Sequence, residues 1–224
     1  SGAGCGCNAA LYLVSMRQNP RPSTCHDYYC DANNVCGESC AEIDIQESNV
    51  FAWHSTLHGA KDHNGVARGY GGGGAQWSGP RDWTGAQYFP GSECLDSARP
   101  FQVAASFPAY ANGSLAAMEV RLSQAGRDCE LKLRVDGYAG MAELSRALAA
   151  GMTPVASYWS SDDMLWMDGV GRDGHGHCRQ DNASSCADFV SFYGFSLGEA
   201  EPEPEPRAPE PAAEKAEAKA GPEP

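Results

Sequence analysis

Seven short runs of this chain alternate or cluster apolar residues as β-strands do, and only one run is helical in pattern. The strand-like runs are ALYLVSM (10–16), AEIDIQE (41–47), FQVAASF (101–107), AAMEVRLSQ (116–124), CELKLRV (129–135), PVASYW (154–159) and FVSFYGFSL (189–197). Several alternate apolar and polar side chains, the period-two pattern of a half-buried strand. In GMAELSRALAAGM (140–152), Leu144, Ala147 and Leu148 stand at i, i+3 and i+4, and Gly151 can end a helix. Many strands, glycine-rich turns and one short helix predict an all-β antiparallel sandwich or jelly roll. The 224 residues, 42% of them hydrophobic, supply one sizeable core and not two.

Ten cysteines narrow the setting. They fall at 5, 7, 25, 30, 36, 40, 94, 129, 178 and 186, an even number with no paired CxxC knuckles. A disulfide framework in an oxidising compartment is expected, with no metal and no cofactor. Two glycosylation sequons, at Asn112 and Asn182, fit an extracellular, secreted or cell-wall protein. The chain opens Ser-Gly and shows no signal peptide, as a mature product or a fragment would. A net charge of -13 argues against nucleic acid as a partner, and the lack of a long apolar run against a membrane span. The glycines of GYGGGG (69–74) neither follow a strand nor open a helix, so they predict a flexible loop rather than a phosphate cradle.

Composition also sets a boundary. Residues 1–198 are expected to form the folded domain. From Glu199 to Pro224 the chain holds eight glutamates, three basic residues and no aromatic. Such a segment buries too little apolar surface to offset its ordering entropy, so 199–224 reads as a disordered acidic Pro/Glu-rich tail or linker.

The segment EIDIQES raises the question of chemistry. Ile43 and Ile45 mark one buried strand face, so Glu42 and Asp44 share the other. Glu47 is five residues from Glu42 and falls on the wrong side of a regular strand. One extra residue, a β-bulge, would bring all three acids together, and bulges often sit beside active sites. The outer Cα atoms would then lie roughly 13 Å apart, at about 3.3 Å per residue. Two glutamates leaning inward could approach the roughly 5–5.5 Å that a retaining glycosidase needs between its carboxyl groups. Spacing alone leaves three readings: a glycosidase pair, a solvated acidic face, or a calcium site. His54 and His58 make an HxxxH spacing, but off a helix this does not predict zinc.

The surrounding residues resemble glycoside hydrolase family 7, the cellobiohydrolases and endoglucanases that cut β-1,4-glucan. The family's E-x-D-x-x-E strand and the His eleven residues after its last Glu match Glu42, Asp44, Glu47 and His58. CNAALYLVSM (7–16) is similar to the strand that sets an Asn and a Tyr beside the catalytic centre, here Asn8 and Tyr12. YCDAN (29–33) is similar to a sugar-contacting segment, here Asp31 and Asn33, with Asn replacing a Gln. SYWSSDDMLWMD (157–168) resembles the segment bearing two sugar-stacking tryptophans, here Trp159 and Trp166. VSFYGFSLG (190–198) resembles the closing strand.

The resemblance implies a concanavalin A-like glucanase jelly-roll sandwich with one short helix, lacking the family's N-terminal strands. It implies a monomeric retaining hydrolase of β-1,4-glucan, with Glu42 as nucleophile and Glu47 as general acid/base. Asp44 would orient the nucleophile and keep its pKa low. Cys5 would pair with Cys178, and Cys30 with Cys40. A glycan-binding or cell-wall structural protein without turnover is the alternative, and a β-1,3 or mixed-linkage glucanase a third. The chain departs from the family in the closer spacing of Trp159 and Trp166 and in His175, where the family often has Arg; the short stretch from 79 to 91 suggests an open cleft that cuts inside chains.

Overall fold

The computed structural model describes residues 4–62, 70–71, 81–170 and 176–199. Ten strands and two short α-helices are named in chain order. The strands are β1 (Cys7–Val14), β2 (Glu42–Ser48), β3 (Trp53–His58), β4 (Tyr70–Gly71), β5 (Tyr88–Phe89), β6 (Leu95–Asp96), β7 (Gln102–Ser106), β8 (Met118–Ser123), β9 (Leu131–Val135) and β10 (Thr153–Ser160). The helices are α1 (Met141–Ala150) and the single turn α2 (Leu165–Asp168). Among the described residues no helix is long and apolar enough to cross a membrane.

One sheet runs β10-β1-β2-β3-β4, with each neighbouring pair antiparallel. A second sheet runs β7-β8-β9, also antiparallel. A small parallel pair joins β5 to β6. The core lies between the two main sheets. Ile43, Ile45, Trp53 and Leu57 project from β2 and β3 and pack with Met118, Val120 and Leu122 of β8, Leu131 and Val135 of β9, and Leu144 of α1. Each of these side chains is at most 7% exposed, so the fold is the predicted all-β sandwich with its apolar alternation turned inward. Trp53, Trp83, Tyr88 and Phe101 add an aromatic cluster whose rings meet mostly edge to face.

All ten cysteines are paired: Cys5–Cys178, Cys7–Cys186, Cys25–Cys36, Cys30–Cys40 and Cys94–Cys129. The first two span 173 and 179 residues and tie β1 to the segment that follows α2. Closing loops of that length restricts the unfolded chain most strongly.

Three expectations need correction. First, WHSTLH (53–58), outside the seven strand-like runs, forms a full strand, β3. Second, FVSFYGFSL (189–197) is not a strand. It has no ladder partner among the described residues, and Phe189, Tyr193, Phe195 and Leu197 are 69–88% exposed. Its alternation is strand-like, but a strand exists only where a neighbour accepts its backbone hydrogen bonds. Third, α1 is not the only helical element: the single turn α2 and two 3-10 turns, Ser15–Gln18 and Ala183–Ser185, occur beside it. Of GYGGGG, only Tyr70 and Gly71 lie within the described residues, where they form β4. His175 and the tail beyond Glu199 lie outside them.

Candidate active site

The extra residue expected in β2 is present. Asp44 pairs with Thr56 and Glu47 with His54, so Ile45 and Gln46 together oppose Ser55 alone. The β1 side shows the same shift, with Tyr12 opposite Asp44 and Leu11 opposite Gln46. The bulge resets the period of two, and Glu42, Asp44 and Glu47 point to one face. Directly paired residues share a face, so the register maps the surface. Val14, Glu42 and His58 make one row; Val155, Tyr12, Asp44 and Thr56 the next; Ser157, Ala10, Glu47 and His54 a third; and Trp159 lies beside Asn8 beyond them.

Each acid has specific partners. Glu42 Oε2 accepts the backbone N–H of Ala32 at 2.7 Å. Asp44 shares a hydrogen bond with Glu42, and its Oδ2 lies 3.2 Å from His58 Nε2. Asn8 Nδ2 donates to Glu47 Oε1 at 3.0 Å, while Asn8 Oδ1 accepts from the N–H of Ser48 at 3.1 Å. The Asn8 amide is thereby fixed from both sides. Tyr12 OH and Tyr29 OH lie 2.8 Å apart, which braces the face at Asp44.

The electrostatics follow from burial. Glu42 is held well above the ordinary carboxylate range, first by burial and then by the charge of Asp44; His58 and the Ala32 N–H oppose the rise. Asp44 is also held well above it, by burial and by the charge of Glu47. Glu47 is raised by burial, with Asn8 and His58 pulling the other way. Burial and mutual repulsion therefore keep the three crowded carboxyl groups from all ionising together as isolated ones would. This corrects the expectation that Asp44 keeps the Glu42 pKa low: as an anion it pushes Glu42 up.

The remaining predicted residues are spread around this row. Asp31 is buried, and its Oδ1 accepts the N–H of Val35 within its own loop. Asn33 stands exposed on that loop, one residue beyond Ala32. Disulfide Cys30–Cys40 closes the loop, and both sulfurs lie in the cluster with Ala10, Tyr12 and Val14. Trp159 is 41% exposed at the Glu47 end. Trp166 is half-buried on α2, its ring centroid 6.3 Å from that of His54.

Sequence reasoning missed two groups. In the sequence His54 stands out only through its HxxxH spacing, yet it lies directly opposite Glu47. Its signal was the strand period: His54, Thr56 and His58 lie two apart on one face. Behind His58, Asp62 Oδ2 lies 3.8 Å from Nδ1 and accepts from Tyr138 OH at 2.6 Å. Tyr138 also meets the Gly59 N–H. No local pattern announces Tyr138, which is 80 residues away from His58 in the chain. Among the described residues no group of three or more His, Cys, Asp or Glu has the arrangement of a metal site.

Comparison with known proteins completes the picture. The chain matches no family by sequence profile. Endoglucanase 1 of Pyricularia oryzae (strain 70-15) is 27% identical over 233 aligned positions, covering 78% of this chain and 54% of that protein. A solved GH7 family cellobiohydrolase from Daphnia pulex superposes with a TM-score of 0.54 at 19% identity, over 83% of this chain and 62% of that one. A second structure of a Daphnia pulex GH7 cellobiohydrolase, from a radiation-damage series, gives 0.53 at 20% identity over 75% and 57%. The chain has the fold of glycoside hydrolase family 7. Its sheets are those of the family's jelly-roll sandwich, and the sequence resemblance points to the same family. The chain spans about half the length of the curated relative it matches.

Proposed function

We propose that this chain carries a retaining glycoside hydrolase site for β-1,4-glucan. The observation that carries the reading is the bulge at Ile45–Gln46, which turns Glu42, Asp44 and Glu47 onto one buried face. The relationship to Endoglucanase 1 and the shared cellobiohydrolase fold support the same chemistry.

In this reading Glu42, as the carboxylate, attacks the anomeric carbon while the glycosidic C–O bond breaks. Glu47 gives its proton to the departing oxygen, and its raised pKa keeps that proton available. Glu47 then takes a proton from water, the water oxygen attacks the anomeric carbon, and the ester bond to Glu42 breaks. Asn8 fixes the Glu47 carboxyl group. Asp44 shares a hydrogen bond with Glu42 and holds its Oδ2 within reach of His58 Nε2, which orients the nucleophile. The indole faces of Trp159 and Trp166 stack on sugar C–H faces, and Asn33 and Asp31 border the opposite end.

Residues 1–198 form the hydrolase-type domain in this reading, and 199–224 a tail or linker. Five disulfides suit a secreted or cell-wall protein.

The test is reducing-sugar release from soluble β-1,4, β-1,3 and mixed-linkage glucans, with Glu42→Gln and Glu47→Gln as controls. Release from the β-1,4 polymer that vanishes in both variants is expected. Saturable binding of cello-oligosaccharides by a folded sample without any release would replace the hydrolase by a glycan-binding protein. Release confined to a β-1,3 or mixed-linkage polymer would change the substrate and keep the mechanism.

A further inference from the structure

His54 lies on the same face as Glu47 and directly opposite it across the β2–β3 ladder. It is 2% exposed. Its Nε2 lies 2.9 Å from the carbonyl oxygen of Met167 on α2. A carbonyl oxygen can only accept, so Nε2 carries the hydrogen and donates it. The neighbouring residue on α2 is Trp166, whose ring meets that of His54 at 6.3 Å and 56°.

A helix of one turn cannot hold itself. The ends of α2 are tied to other segments. Asp181 Oδ2 accepts the N–H groups of Met164 and Leu165. Asp168 Oδ2 accepts from Gly6 N at 3.2 Å and from Asn49 Nδ2 at 2.6 Å. These ties hold α2 to the chain around it. The His54 bond instead joins the turn to β3, the strand whose face includes the partners of the acid row.

We propose that His54 is a positioning residue that sets the aromatic face of Trp166 at a fixed place relative to Glu47, by donating from Nε2 to the Met167 carbonyl. The inference rests on the glucan-site reading for its consequence, because a stacked sugar unit would be registered against the acid/base only if both supports are fixed. Either protonation state of the imidazole can donate from Nε2, so the tie does not depend on pH. A glutamine amide can replace it, and alanine cannot.

The experiment has two arms. In the first, the protein is labelled with 5-fluorotryptophan, and the Trp166 resonance is identified by its loss in Trp166→Phe. Fluorine NMR of His54→Ala should show the Trp166 line displaced or broadened, with the Trp53 and Trp83 lines unmoved; His54→Gln should return it. His54→Asn, polar but too short to reach the carbonyl, serves if the alanine variant does not fold, and should behave as alanine does. An unmoved Trp166 line in a folded alanine or asparagine variant overturns the proposal.

The second arm measures cello-oligosaccharide binding. His54→Ala and Trp166→Ala should each weaken it about tenfold, the scale of one aromatic stacking contact, and the double variant should lose no more than either alone. Full additivity overturns the positioning role. If the unaltered chain binds no glucan, the glucan reading fails, while the first arm still decides whether His54 sets Trp166.

Discussion

His58 Nε2 stands 3.2 Å from Asp44 Oδ2, and both side chains are less than a tenth exposed. The pair joins β2 to β3 on the face of the acid row, and Asp62 and Tyr138 stand behind His58. His58→Ala would leave a buried carboxyl oxygen without its donor. It is expected to cost about 1–3 kcal/mol of stability and to lower kcat on soluble glucan more than it changes KM. Urea unfolding and steady-state kinetics measure the two effects. Tyr138→Phe removes the donor to Asp62 and the acceptor for the Gly59 N–H but leaves the His58–Asp44 pair in place, and should lower stability and kcat less.

The raised pKa values of the row fix the sign of a pH effect on stability. Between them, Glu42, Asp44 and Glu47 hold more protons in the folded chain than in the unfolded chain, which has released them above about pH 4. Asp168 acts in the same direction, raised by burial to about 6. The folded state thus binds more protons, and stability falls as pH rises from about 4 through the folded values. Asp44→Asn should raise Tm by a few degrees at pH 8 and leave it nearly unchanged at pH 4. A scan of Tm against pH would contradict this if the two chains ran parallel. The same variant should lose most hydrolysis, since Asn cannot follow the proton balance of the row.

Disulfide Cys30–Cys40 closes a short loop whose Ala32 N–H is the donor to Glu42. Replacing both cysteines by serine is expected to cost about 2–3 kcal/mol. It should also free the loop, so that activity falls at temperatures where the domain is still folded. Comparing the thermal inactivation curve with the unfolding curve separates the two losses.

Phe189, Tyr193, Phe195 and Leu197 lie open to solvent in a segment with no ladder partner among the described residues. Ending the chain after Asp188 should therefore change Tm by no more than a degree or two. It should also lower binding of an apolar dye and raise solubility. A large drop in Tm would mean that the segment is packed in solution.

The sequence by itself determined the class of fold and the chemistry of the face. Alternation in β1, β2, β8 and β10 is a local property, written by which side chains can be buried, and it survives in the structure with ends shifted by a few residues. The spacing of Glu42, Asp44 and Glu47 required a bulge, and the bulge is there. Tertiary structure decided what depends on neighbours. FVSFYGFSL alternates like a strand but has no partner for its backbone, whereas WHSTLH, with weaker alternation, is a strand because β2 pairs with it. The pKa values of the acid row come from burial that no local pattern encodes. The contacts of His54 with Met167 and of Asp62 with Tyr138 join residues more than 70 positions apart. Only closure of the chain brings such groups within hydrogen-bonding distance, because hydrogen bonds and desolvation act over a few ångströms in space without regard to separation along the sequence.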